Sequence, residues 1–389
     1  MKHYLLLLAL LLAGVSVCCS QRSMHFYSDG NISYRVPVSD VDSVKFVNFD
    51  DEFGITNSRI RVMQDITRGG AICHISVVGD SGVSGISGRS DVSGGSGVSD
   101  KSVGFGRSGY SGKSGRSYGK SYSRYGKKSG GSGVGRNLVN IADEGRYIQQ
   151  SYYAGNSLDR TSEGQSPSWS PWTWNPIQAG DYALNRAKIL VMNKTDTSTY
   201  IKCIPMLWDM DNMPAEATME QWTSVSGNVI SVHNRLTCNR TDDIYGEGID
   251  RDQELPAVYL ISALDNLYSY FGSVPFSGEA ASTTEIVQLE SGFWGIYDNT
   301  ANPFPSEKWM AFVDDNGFGV GVYSPSATKF LAGRYGWAGD EEWSPATNYI
   351  APVCVRALMK NSVFEYKYWL AVGTLDEIRA AFYQIYAGE

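Results

Sequence analysis

Between Asn140 and Asp181 the chain runs NIADEGRYIQQSYYAGNSLDRTSEGQSPSWSPWTWNPIQAGD. Its first part holds an acid pair (Asp143, Glu144), Arg146, Gln149, Gln150, Tyr152 and Tyr153; Trp169, Trp172 and Trp174 follow, and Asn175-Pro176 leads on to Asp181. Planar amides, a guanidinium and carboxylates fork onto vicinal hydroxyls, and indole rings cover the C–H faces of sugars. In a core, each of these polar groups would need a partner. The mixture therefore suits the wall of a carbohydrate groove, with Asp143, Arg146, Gln149, Tyr152, Trp172, Trp174 and Asn175 as sugar-holding candidates. The plainer alternative is an aromatic-rich loop over a sheet, with Arg146 in a structural ion pair.

A second acidic cluster, MLWDMDNMPAEATMEQW, spans 206–222. A strand over Ala215–Trp222 places Glu216, Thr218, Glu220 and Trp222 on one face, with Ala215, Ala217 and Met219 toward the core. Glu220 joins the sugar-holding candidates. Glu216 and Glu220 would stand about 13 Å apart along a strand, beyond the roughly 5–9.5 Å of paired glycosidase carboxylates. A working pair therefore needs another element: Asp143, Asp181, Asp209, Asp211 or Glu254. Glu254 lies in RDQELPAVY, at a strand entrance. Asp181 and Glu254 are the expected acid and base or nucleophile, with Glu216 in reserve.

Other chemistries find less material. No GxSxG occurs, and His233 is the one histidine after Ala142. Tyr152 or Tyr153 beside Arg146 leaves proton abstraction from a uronate open, so a polysaccharide lyase is an alternative. A non-catalytic surface glycan-binding protein is another. Asp209 and Asp211 with Asn212 lack the twelve-residue pattern of a calcium loop, and no metal or cofactor is expected.

A net charge of −8, with 19% charged residues, excludes the simple basic nucleic-acid binder. Residues 1–19 read as a leader: Lys2 and His3 precede an apolar Tyr4–Val17, and Cys18-Cys19 end it as in acylated bacterial lipoproteins. Export to the periplasm or cell surface, with lipid anchoring to the outer membrane, is the expectation. The later cysteines, Cys73, Cys203, Cys238 and Cys354, are too few for a disulfide scaffold.

Residues 20–58 form a hairpin segment, with Asp29-Gly30 between alternating apolar runs. This stretch, with its Asp42-Ser43-Val44-Lys45-Phe46 ending, resembles a segment that follows the signal in many exported Bacteroidetes proteins. Residues 59–389 read as one domain, interrupted at 81–136 by a Gly/Ser/basic insert too poor in apolar residues to fold. The flanks of the insert, Ala71–Val78 and Asn137–Ile141, should be neighbouring strands. From Tyr182 onward short strands and close turns predominate, including Lys188–Met192, Tyr200–Met206, Asn228–Leu236, Ala257–Ile261, Glu285–Leu289, Trp309–Val313, Val353–Met359 and Val363–Ala371. A capping box, Thr374-Leu-Asp-Glu377, opens one terminal helix. The fold class is all-β: a large antiparallel β-sandwich with a short C-terminal helix.

The motifs RIRVMQDITRGGAICHIS, DEGRYIQQSYYAG, NPIQAGD and QELPAVY, with the closing strands, resemble galactose-mutarotase-like supersandwiches of exported carbohydrate-active proteins. The resemblance implies that fold and a glycan substrate. Mutarotases use a catalytic histidine and a glutamate, and the central cluster here holds no histidine.

Overall fold

A computed structural model describes residues 23–28, 31–37, 53–79, 135–288, 293–337 and 342–388. The leader, the Asp29-Gly30 turn, the 42–46 ending and residues 81–134 of the insert lie outside the described residues. The chain divides into two units, residues 1–51 and 52–389. In the first, strands Ser23–Ser28 and Asn31–Pro37 pair antiparallel, with an irregularity between Phe26 and Tyr27.

The second unit is built on two large antiparallel sheets. One has nine strands, in the spatial order Lys188–Lys194, Ser198–Ile204, Ala217–Ser226, Val229–Cys238, Ser362–Thr374, Phe318–Tyr323, Trp309–Val313, Asn266–Ser269 and Ser282–Thr284. The main path of the other runs Gly295–Tyr297, Lys329–Tyr335, Thr347–Arg356, Arg251–Ile261, Ile148–Ser151, Ala71–Val77, Ile60–Asp65 and Gly54–Thr56. Residue alternation explains the packing: along Val229–Cys238 every second residue is buried. Ile230, Val232 and Leu236 meet Val258, Leu260, Ile350 and Phe330 of the facing sheet in one continuous core. Each sheet therefore presents a second, outer face.

Helix Leu375–Gly388 covers one end of the nine-stranded sheet's outer face, where Ile378 and Phe382 pack with Trp309, Ala311 and Tyr323. Gly321 makes room for it: a Cβ there would come within 2.6 Å of Ile378 and 2.9 Å of Phe382. The expected capping box is formed, with Thr374 N–H donating to Glu377 Oε2 (2.9 Å) and Glu377 N–H to Thr374 Oγ1 (3.3 Å).

Several strand expectations shift. The strand expected from Ala257 begins at Arg251, and the one expected at Val353–Met359 runs Thr347–Arg356. Lys329–Tyr335 was not expected, and the short strand near Glu285 lies at Ser282–Thr284. At the insert's far flank, Leu138 N–H donates to Ile75 O (2.9 Å), while the Asn137 side chain bonds Ile75 N and Cys73 O. The chain thus returns directly beside Ala71–Val77, but Asn137–Ile141 is not the expected strand: it forms only an isolated bridge, Val139 to Leu260. The four described cysteines are free thiols.

Candidate functional site

The outer face of the second sheet, which has ten strands in all, carries a polar–aromatic cluster, and Glu254 lies at its centre. Pairing along Arg251–Ile261 slips by one residue between Glu254 and Val258 against the strand on one side, and between Glu254 and Ala257 on the other. This is a bulge, and it accommodates Pro256, which has no N–H to give a ladder. The extra residue changes the alternation. Leu255, Val258 and Leu260 face the core, whereas Ala257 and Tyr259 pack on the outer side with Tyr349 and Trp294. Glu254 is thereby aimed outward, where Tyr349 is also rooted.

Three hydroxyls meet the Glu254 carboxylate: Tyr349 donates to Oε1, and Ser151 and Tyr153 also hydrogen-bond it. Burial nevertheless pushes its pKa above the usual carboxylate value, and these hydroxyls only partly offset the effect. The Tyr153 and Tyr349 phenols are driven far up by burial and by the adjacent carboxylate. Gln253 steadies the cluster from beneath, its amide bonding both the N–H and the O of Tyr153 and reaching Arg356 O.

Aromatic rings wall the cluster. Trp294 stacks on Tyr349 at 4.6 Å, and Tyr259 leans on the same ring at 4.7 Å. On the other side Trp172 meets Tyr153 at 6.5 Å, continuing through Trp169 to Trp208 at 5.3 and 5.5 Å. Trp172, Trp294, Tyr153 and Tyr259 are all half-buried, so ring surface remains for a ligand.

The 143–147 turn forms the upper rim. Tyr147 adopts φ 72°, a strained value for a non-glycine residue. The Arg146 guanidinium lies over Tyr259 (5.5 Å) and Tyr335 (5.7 Å), donates to Pro345 O and pairs with Asp143 at 3.4 Å. Burial raises the Tyr259 phenol; Glu254 and Asp143 push it further up, and Arg146 pulls it down. Tyr259 thus stands within the fields of two carboxylates, one deep and one at the rim.

The other sequence candidates are dispersed. Asp181 is fully buried, and its two oxygens accept from Ala183 N, Asn185 N, Asn185 Nδ2 and Asn212 N, so it ties two loops together. It shares no described hydrogen-bond partner with Glu254. Gln149 likewise holds the 143–147 turn, donating to Glu144 O and Arg146 O and accepting from Ala179 N. Tyr152 lies in the core with its hydroxyl on Gln150, and Trp174 is buried beneath the Arg240 guanidinium. Asn175 links Trp172 Nε1 to Tyr152 O, which fixes the Trp172 indole from behind. Glu216 precedes its strand, is exposed, and shares a hydrogen bond with Asp242. Glu220 belongs to the other sheet, where Tyr200 donates to it (2.6 Å) and Arg235 stands at 3.7 Å.

Of the sequence candidates, Asp143, Arg146, Trp172 and Glu254 meet in one cluster. Tyr349, Tyr259, Ser151 and Trp294 complete it and were not anticipated. Tyr349 is 95 residues from Glu254, and no local pattern marks it.

No family model matches the chain, and no curated protein matches it. Among solved structures, it is similar to a galactose mutarotase related enzyme from Lactobacillus acidophilus, at 10% identity and TM-score 0.42, over 84% of this chain and 99% of that one. It is also similar to a 4-alpha-glucanotransferase from Thermococcus litoralis, at 8% identity and TM-score 0.36, over 82% of this chain and 37% of that one. A heparan sulfate lyase from Pedobacter heparinus aligns at 7% identity and TM-score 0.27, over 49% of this chain and 22% of that one.

Proposed function

We propose that the protein cleaves a glycan as a glycoside hydrolase, with Glu254 as proton donor. The observation that carries this reading is a carboxyl group raised in pKa by burial and set among aromatic walls. Such a group holds its proton more tightly than an ordinary carboxyl and can deliver it to a glycosidic oxygen as the bond to C1 breaks. Trp172 and Trp294 suit the faces of the two sugars flanking that bond.

Asp143, exposed at the rim, is the second carboxylate of this reading, either activating water or attacking C1. Arg146 orients it and contacts sugar hydroxyls. Asp181 acts only through the loops it holds. Elimination by a tyrosine base has less support, because the Tyr153, Tyr259 and Tyr349 phenols are pushed up, away from the phenolate. The apolar Tyr4–Val17 run before Cys18-Cys19 supports a place in the cell envelope.

The test is incubation of purified protein with a panel of neutral and acidic polysaccharides. New reducing ends without absorbance near a conjugated C=C bond support hydrolysis. Unsaturated products would replace it with elimination, and binding without products would replace it with a glycan-binding role.

A further inference from the structure

The outer face of the nine-stranded sheet, across the core from the sheet that carries Glu254, holds a groove of about 480 Å³. That lies within the roughly 300–1,000 Å³ of small-ligand sites. Strand register builds the face in three rows, because side chains directly opposite on paired strands point to the same side. The middle row is aromatic: Tyr200, Trp222 and His233 stand side by side, and Lys367 follows. Its rings touch, Tyr200 to Trp222 at 5.0 Å and Trp222 to His233 at 4.9 Å. Two residues along each strand comes a row of hydroxyls, Ser198, Ser224 and Ser231, ended by Trp369. Asn193 adds an amide at the rim.

The row on the other flank is ionic and alternates in sign: Lys202, Glu220, Arg235 and Glu365. Glu220 lies 4.0 Å from Lys202 and 3.7 Å from Arg235, and Arg235 lies 2.7 Å from Glu365. Both acids also hold rings of the middle row. Tyr200 donates to Glu220 (2.6 Å), and His233 Nε2 lies 2.9 Å from Glu365 Oε2. In the edge hairpin, Lys194 is followed two residues later by Asp196. Charges of both signs therefore border the groove, and those of the ionic row are engaged with one another and with the rings. This arrangement favours an uncharged ligand. What the groove offers it is the half-buried rings of Trp222 and Trp369 with small hydroxyls beside them. Indole faces cover the C–H faces of a sugar, and serine hydroxyls and an asparagine amide exchange hydrogen bonds with its OH groups.

We infer that this face is a non-catalytic binding site for a neutral glycan. The Arg235 guanidinium bonded to Glu365 holds that carboxyl below the usual range, which suits a structural partner and not a proton donor. The role of the face is to keep the protein on a polysaccharide, whether or not Glu254 cleaves it.

Affinity electrophoresis of the full chain tests this in native gels containing xyloglucan, glucomannan, mixed-linkage β-glucan, amylopectin or polygalacturonate, with a polymer-free gel as reference. Trp172→Ala/Trp294→Ala serves as the parent, since it strips the proposed Glu254 site of its sugar-facing rings. At least one neutral polymer should retard this parent, and polygalacturonate should not. Adding Trp222→Ala should abolish the retardation. Ser224→Glu, which alters an exposed side chain, should do the same there and weaken the retardation of the wild type, with thermal unfolding unchanged. Loss of retardation on passing from the wild type to the parent would assign binding to the Glu254 face and overturn the inference. So would retardation unchanged by Ser224→Glu, equal or stronger retardation by polygalacturonate, or no retardation by any neutral polymer.

Discussion

The Tyr349 hydroxyl donates to Oε1 of Glu254 across two paired strands, and Trp294 stacks on that same ring at 4.6 Å. One phenol therefore links the buried carboxyl to the aromatic wall. Tyr349→Phe keeps the ring and removes the bond. The lost hydrogen bond favoured the charged carboxylate, so the Glu254 pKa should rise further. Since the proposed donor acts in its protonated form, the alkaline limb of kcat/KM should move to higher pH. Measuring kcat/KM across pH for both proteins checks the direction.

Glu254 also links stability to pH. Its folded pKa is raised above the unfolded one, so the folded state holds the proton more tightly. The associated stability is full below the ordinary glutamate pKa and is lost as pH rises through the folded value. Glu254→Gln removes this dependence. Its melting temperature should fall less steeply than that of the wild type as pH is raised from about 4.5.

The capping box behaves in the opposite sense. Bonds from Thr374 N–H and Arg59 hold the Glu377 pKa below the usual value. Its contribution is present above the ordinary glutamate pKa and is lost as pH falls through the lower folded value. Thr374→Ala should cost about 1 kcal/mol in denaturant unfolding at neutral pH, with little effect on cleavage.

Arg68 bonds both Asp65 (2.8 Å) and the buried Glu144 (3.0 Å), beneath the turn that carries Asp143 and Arg146. Arg68→Ala leaves Glu144 buried without its close cation. Chemical denaturation should register a loss of roughly 3–5 kcal/mol.

Much of the framework was legible because turns and alternation are local. Trp309–Val313 is the strand expected, and the Thr374–Glu377 box opens the helix. Lys329–Tyr335 was hidden by its glycine, whose reason is tertiary: at Gly333 a Cβ would come within 2.5 Å of Val287 O and 3.1 Å of Trp294. The carboxylate Glu254 could be singled out from QELP, but not the hydroxyls around it, which come from strands distant in sequence. Asp181 shows the converse difficulty. Its Asn-rich surroundings look like a binding loop, and those amides turn out to satisfy the carboxylate itself.

That contrast gives the most direct test of the central claim. Glu254→Gln and Asp181→Asn are compared on whichever glycan the wild type cleaves, with product release and thermal unfolding recorded for each. Glu254→Gln should lower kcat by roughly 10²-fold or more while remaining folded. Asp181→Asn should unfold at a lower temperature and, where folded, keep most of its kcat. Near-normal cleavage by Glu254→Gln would contradict the account.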